Sequence, residues 1–451
     1  MKRAFTLLTA MLLVVSMLVG CGSTPNSTAA PSPSGSNQSD EGKTEQINLT
    51  YWHTFTEGVR KDFMDKLIAD YTAENPNVNI TTEVYTWAMF TEKWTTGLQA
   101  GAIPDISNIS NGNVYQIYSA DALLPLNDVV EDMGRDMFIG SALDGLTVDG
   151  EVIALPLYMH AYVLWYRADI LDQLGVDVPK TWDEMIAVNK KIREETDYYG
   201  FPVCMSQKDY IGTNQLNCWA SAYGATLLDE NNRANLTDPK VKEVIQFMVD
   251  LYKAGSPEGS INYGAGELNE LFYTGKSAFT TQSGFIANSV KQNSPDLLDD
   301  IKATLYFGKN GENVTNHLNL IGLAGWKHTK HPEQVMDLIK YHYEDERYSE
   351  FLNCVPGGML PGTTSEEVKN QILNHEFVQQ ISQPVNVIME AIENGTMQGM
   401  NYGLNLPAGA LEGAGIIEEM FQNIILNGVS VDEAAEMANK KLQDAMDVLS
   451  E

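Results

Sequence analysis

Ile47-Asn48-Leu49-Thr50-Tyr51-Trp52 alternates apolar and polar side chains, the period of a strand with one face in a core. Val59, Phe63, Leu67, Ile68 and Tyr71 then recur at helical spacing until Asn75-Pro76-Asn77 stops the run. Val78, Ile80, Thr82 and Val84 alternate again. A second helix is predicted from Trp87 to Ala100, ended by Gly101, and Pro104-Asp105-Ile106-Ser107 opens a third strand. Strand–helix–strand–helix–strand is the order of a parallel, doubly wound sheet. Further along, the tight turn Asp149-Gly150 precedes a strand from Glu151 to Ala154, and Tyr162 to Tyr166 reads as another. Thr181-Trp182-Asp183-Glu184 is a capping box, with Met185, Ile186, Val188 and Ile192 as the apolar face of its helix. Asp238-Pro239 opens a helix carrying Val241, Val244, Ile245, Met248 and Leu251, with proline where a missing N–H costs nothing. The last quarter is mainly helical, over 332–350, 365–380 and Val431 to Leu449.

The N-terminus speaks to the compartment. Met1-Lys2-Arg3 is cationic, Ala4 to Val19 is almost wholly apolar, and the run ends at Leu18-Val19-Gly20-Cys21. A membrane span needs about 20 apolar residues. This shorter core, followed by a small residue and a cysteine, predicts a signal peptide over 1–20. Its end resembles the bacterial lipobox, which implies that Cys21 becomes the mature N-terminus and carries diacylglycerol, a durable anchor. The competing reading is an ordinary secretory signal that contains a cysteine. Residues 21–46 are rich in Ser, Thr, Pro, Asn and Gly and bury nothing, so they read as a tether with a reach of about 25–30 Å.

The remaining chain is too long for one core, so two lobes are expected. Sixty acidic residues against 29 basic ones give a formal charge of −31, a surface that repels phosphate backbones and argues against a nucleic-acid partner. Beyond Cys21 there are Cys204, Cys218 and Cys354; three cannot all pair, and a Cys204–Cys218 bridge competes with buried free thiols.

Seven stretches, in order, resemble the carbohydrate-type extracellular solute-binding family that includes the maltose-binding proteins. They are Leu49-Thr50-Tyr51-Trp52-His53, Gly101-Ala102-Ile103-Pro104-Asp105-Ile106, Leu123-Leu124-Pro125-Leu126-Asn127-Asp128, Asp149 to Pro156, Trp165 to Leu171, Pro179 to Glu184, and Phe272 to Phe279. Glu151, Ile153 and Phe279 depart from the family pattern. The resemblance implies an α/β protein of two doubly wound lobes joined by hinge segments, periplasmic-binding-protein-like of class II, with a helical C-terminal part. It places the N-terminal lobe at 47–157 with about 310–350 and the C-terminal lobe at 158–309 with about 351–451. It implies a monomer that takes a carbohydrate into the cleft, closes by a hinge motion and meets the membrane subunits of an ABC importer on the extracellular face. No cofactor, metal or catalytic residue is implied.

Sugars present hydroxyls at the rim and C–H patches on their faces, so their sites combine aromatic rings with amides and carboxylates. In open α/β sheets such sites lie beyond the carboxyl ends of strands. That selects Trp52 and His53 after the first strand, Trp87 after the second, and Asn111 and Asn113 after the third. The resemblance adds Tyr158 and His160 where the chain crosses between lobes, Gln215 and Trp219 in the second lobe, Phe285 near the family's stacking aromatic, and Gly358 in a late glycine loop. Each has a plain alternative: core packing for the tryptophans, turn chemistry for the asparagines and glycine, a satisfied buried ring for the histidines.

Two other functions are compatible with the sequence. A secreted carbohydrate-active enzyme needs two carboxylates about 5–10 Å apart; 60 acidic residues supply many such pairs and single out none. Neither Gly-x-Ser-x-Gly nor His-Glu-x-x-His occurs. A ligand sensor for a signalling partner would share the whole architecture. Metal carriage is disfavoured because His53, His160 and His317 share no ligand spacing.

Overall fold

The computed structural model describes residues 46–449 apart from Glu57, Leu404 and Ala414. The expected signal peptide over 1–20, Cys21 and all but Gln46 of the segment expected to be a tether lie outside them. Strand β1 (Ile47–His53) runs parallel to β2 (Val78–Val84) and to β3 (Ile106–Ser110), with α1 (Gly58–Glu74) and α2 (Trp87–Ala100) as the crossovers. The local reasons are those the sequence offers. Thr86 caps α2 through its hydroxyl, and Gly101 ends it at φ 66°, a left-handed conformation that glycine adopts without strain. Asp105 ties the start of β3 to the sheet by accepting from the Thr50 N–H at 2.7 Å.

The alternation in β1 sends its side chains to two cores. Tyr51 joins a cluster with Phe63, Leu67 and Tyr71 of α1; Trp52 joins one with Tyr85, Phe90, Trp94 and Trp326 on the opposite face. A long strand, β10 (Asn316–Gly325), completes this sheet far out of sequence order. It pairs antiparallel with β3 and with β6 (Leu155–Ala161), and parallel with β11 (Gly395–Met397). Between β3 and β6, Asp149-Gly150 turns the small ribbon of β4 (Thr147–Val148) and β5 (Glu151–Val152), both residues at positive φ.

A second sheet has three strands, with β7 (Val163–Arg167) antiparallel to both β8 (Phe279–Gln282) and β9 (Ile301–Thr304). Here the parallel winding of the first sheet is not repeated. The helices Trp182–Glu195, Ile211–Tyr223 and Pro239–Gly255 pack beside it around Trp182, Trp219 and Phe247. Cys204 and Cys218 are both buried and unpaired in this region. The helix expected over 332–350 is two, Pro332–Tyr341 and Asp345–Leu352. At the break, the buried His342 ring is held between the Leu338 carbonyl (2.7 Å) and the Tyr51 hydroxyl (3.0 Å). No helix among the described residues is long and apolar enough to cross a membrane.

Candidate functional site

The chain passes directly from one sheet to the other at a single residue. Ala161 still pairs with Leu318 in the first sheet, and Val163 already pairs with Gln282 in the second, which leaves Tyr162 at the junction. Strand alternation puts Tyr158, His160 and Tyr162 on one face. Tyr158 stacks on His160 (6.0 Å between ring centroids, 26° between planes), and His160 meets Tyr162 edge to face at 5.9 Å. Behind them the His317 ring lies 5.3 Å from Tyr162, with the Asn217 and Asn319 amides at its two nitrogens.

A cavity of about 570 Å³ opens against Tyr162. That is the size of a small-molecule site. One wall comes from the carboxyl ends of β2 and β3, as expected of an open sheet: Thr86 and Trp87, then Ser110, Gly112, Asn113 and Gln116 on α3 (Asn111–Ser119) and its cap. The other wall comes from Lys208, Asp209, Tyr210 and Asn214, leading into the helix Ile211–Tyr223, and from Glu412. Asn214 donates from Nδ2 to the Tyr162 hydroxyl at 3.3 Å, while its buried Oδ1 has no hydrogen-bond partner. Buried His160 Nδ1 is likewise unpartnered. Leaving such groups without partners costs about 1–3 kcal/mol each. A second cavity, about 320 Å³ and bordered by Ile139, Met159, Leu360, Ile372 and Met389, is lined mainly by apolar groups.

Burial sets the charge of the histidines. It lowers His160 to about 4 and, with repulsion from His160, His317 to about 3. Both rings are therefore neutral near pH 7, able to donate and accept without carrying charge. Burial also pushes the Tyr162 hydroxyl well up, so it stays protonated. Glu412 stands apart: burial raises its carboxyl to about 7.

Among the residues selected from sequence, Trp87 and Asn113 line the cavity, and Tyr158 and His160 continue from it along the crossing strand. Asn111 opens α3; its side chain is outside the described set. Phe285 begins the helix Phe285–Asn293 and meets His160 edge to face at 5.9 Å. The Arg60 guanidinium sits over the Phe285 ring (5.6 Å) and over Phe55 (5.7 Å). Gly358 packs behind Phe285, where a Cβ would come within 3.1 Å of the Phe285 nitrogen. His53 is fully buried against Phe55, its Nδ1 accepting from the Phe55 N–H at 3.3 Å.

Three residues are placed elsewhere. Trp52 packs edge-on against Tyr85 (5.2 Å) in the core beneath α2. Trp219 is fully buried among Phe201, Phe247, Tyr306 and Phe307. Gln215 spends its amide on its own lobe, accepting from Cys204 N and donating to Pro202 O, both at 2.9 Å. Gln215 and Trp219 are four residues apart and share the helix face turned to the core, whereas Asn214 is turned about 100° from Gln215. Sequence reading missed Tyr162, Asp209, Tyr210, Asn214 and Glu412. The period of two through Tyr158 and His160 would have reached Tyr162; nothing local points to Glu412.

Two α/β halves that share a crossing strand, with a polar and aromatic cavity where it crosses, define a receptor that takes up a small solute. The chain belongs to the bacterial extracellular solute-binding protein family, whose sequence model matches residues 57–347. Delivery of solute to a transporter is the role of that family. A binding protein of Brucella abortus is 23% identical over 317 residues, 69% of this chain and 75% of its own length. The arabinooligosaccharide-binding protein of Halalkalibacterium halodurans is 30% identical over 217 residues, 47% of this chain and 46% of its own. A sugar transporter structure from Arthrobacter chlorophenolicus with bound laminaribiose superposes with a TM-score of 0.77 at 16% identity, covering 88% of this chain and 99% of that one. At that identity the likeness is one of fold.

Proposed function

We propose that the cavity at Tyr162 captures a neutral saccharide and that the protein hands it, unbroken, to the membrane subunits of an ABC importer. The observation that carries this reading is the pairing of ring faces with uncharged polar groups around one cavity. Trp87, Tyr162 and Tyr210 supply faces; Asn113, Asn214 and Gln116 supply amides. The lobes that would close on it, expected at 47–157 with about 310–350 and 158–309 with about 351–451, exchange their boundary segments where residues 158–161 of β6 and β11 pair in the first sheet, and Tyr162 stands at one crossing. The pattern Met1 to Cys21 supports a lipid on Cys21 and a position on the outer face of the membrane. The saccharides bound by the Halalkalibacterium and Arthrobacter proteins make linear oligosaccharides the first ligands to try.

The test is a thermal-shift screen with maltose, laminaribiose and arabinotriose against sugar phosphates and dipeptides. A ligand at about 100 times its dissociation constant stabilises the fold by about 2.7 kcal/mol. A neutral saccharide should raise the melting temperature and remain chemically intact after hours with the protein. Tyr162→Ala should weaken its binding about tenfold or more, a loss of about 1.4 kcal/mol. A shift produced only by anions or peptides refutes the carbohydrate assignment, and cleavage of the saccharide refutes simple capture.

A further inference from the structure

The segment from Leu406 to Gly413 belongs to the second core through Ala408, Ala410 and Leu411, yet it seats on α3 of the first sheet. At the contact, Gly112 of α3 faces Glu412: a Cβ on Gly112 would lie 2.6 Å from Glu412 Oε2. Glycine in a helix costs about 1 kcal/mol relative to alanine. Here it makes room for a carboxylate to reach the cavity wall. At Gly409, likewise, an added Cβ would run into the Gln116 side chain and lie 3.0 Å from the Gly112 carbonyl oxygen. Glu412 thus lines the cavity, partly buried, without an ion pair or a hydrogen bond to any described residue. A buried carboxylate in that condition needs donors. The cavity has space for a ligand to bring them.

We propose that Glu412 makes capture proton-linked: the ligand's hydroxyls donate to its ionised carboxylate, so that binding a neutral saccharide releases a proton and tightens as the medium becomes more alkaline. This rests on the cavity being the saccharide site. The sign follows from linkage. Burial holds the free carboxyl at about 7, and hydroxyl donors favour its ionised form, lowering that value in the complex. Affinity is then complete above about 7 and is lost as pH falls toward the bound-state value, by up to about tenfold per pH unit between the two.

The groups facing Glu412 leave this assignment clear. From the crossing strand comes Tyr162, and from the approach to the helix Ile211–Tyr223 come Lys208, Asp209 and Tyr210. Burial raises both tyrosines, Tyr162 far above its ordinary value. From α3 come the neutral Asn113 and Gln116. Asp209 accepts from the N–H groups of Ile211 (2.8 Å) and Ala265 (3.0 Å) and is committed to the loop. His160 and His317, at about 4 and 3, stay neutral from pH 6 to 8. Glu418, also raised by burial, is bound to Thr213 through its N–H (2.8 Å) and hydroxyl (2.9 Å).

Titration calorimetry tests this with whichever of maltose, laminaribiose or arabinotriose binds. At pH 6.5, two buffers of different ionisation heat report proton release by the wild-type protein without any variant. Affinity should rise about three- to tenfold from pH 6 to pH 8 with protons released. Glu412→Gln should bind with a flat pH profile, and Glu418→Gln should keep the slope. Equal affinity at both pH values with no proton release, or a slope that survives in Glu412→Gln, overturns the inference and leaves the cavity reading standing. Binding by none of the three saccharides at any pH overturns that reading and the inference with it.

Discussion

Trp87 and Trp219 carry the same side chain into opposite duties. The Trp87 ring stands at the start of α2, partly exposed on the cavity wall, while Trp219 is sealed between Phe247 at 5.0 Å and Tyr306 at 4.6 Å. Removing a fully buried tryptophan costs about 3–5 kcal/mol, because transfer and cavity terms add. Trp219→Ala should therefore lower unfolding stability by that amount in urea. Trp87→Ala should cost well under half as much and instead weaken saccharide binding. The reverse ranking would mean that the two rings have exchanged roles. Residue type alone could not separate them, since tryptophan suits a core and a sugar face equally. What separates them is helical phase: Trp219 points with Gln215 into the second core, and Asn214 carries the contact with Tyr162.

Elements were legible wherever their cause was local. Thr181 accepts from the Glu184 N–H at 3.3 Å, and the Glu184 carboxylate accepts from the Lys180 N–H at 2.8 Å, so the box closes one residue earlier than the ideal pattern. Thr181→Ala should destabilise the protein by about 1 kcal/mol. Because the cap lies outside the cavity, saccharide affinity should not change; a mutant that unfolds at the wild-type urea midpoint would deny the cap its role. The parallel run of β1, β2 and β3 was readable for the same reason, each crossover being a single helix. The second sheet was not readable. Val163 pairs with Gln282 and Leu164 with Thr304, each more than a hundred residues away, and no local period encodes the direction of such a partner. Glu412 escaped for a similar cause: its place in the cavity depends on Gly112 of α3, three hundred residues earlier.

For the molecule as a whole, charge and site point to the same kind of ligand. Sixty acidic residues against 29 basic ones surround a cavity whose own lining holds Asp209 and Glu412 beside a single lysine, Lys208. An anionic solute would approach against this field, and its affinity would rise with salt as the repulsion is screened. A neutral saccharide has no net charge for the field to act on. Its contacts are ring faces and short hydrogen bonds, effective over distances well inside the Debye length of about 10 Å at 0.1 M salt. The expected outcome is a dissociation constant that changes less than about twofold between about 0.05 and 0.5 M sodium chloride at pH 8, where Glu412 is ionised with or without ligand. Calorimetry at the two salt concentrations measures it directly. Affinity that climbs severalfold with salt would mean that the captured solute carries negative charge, and the neutral-polyol reading would fall even though the fold, the crossing strand and the cavity stood unchanged.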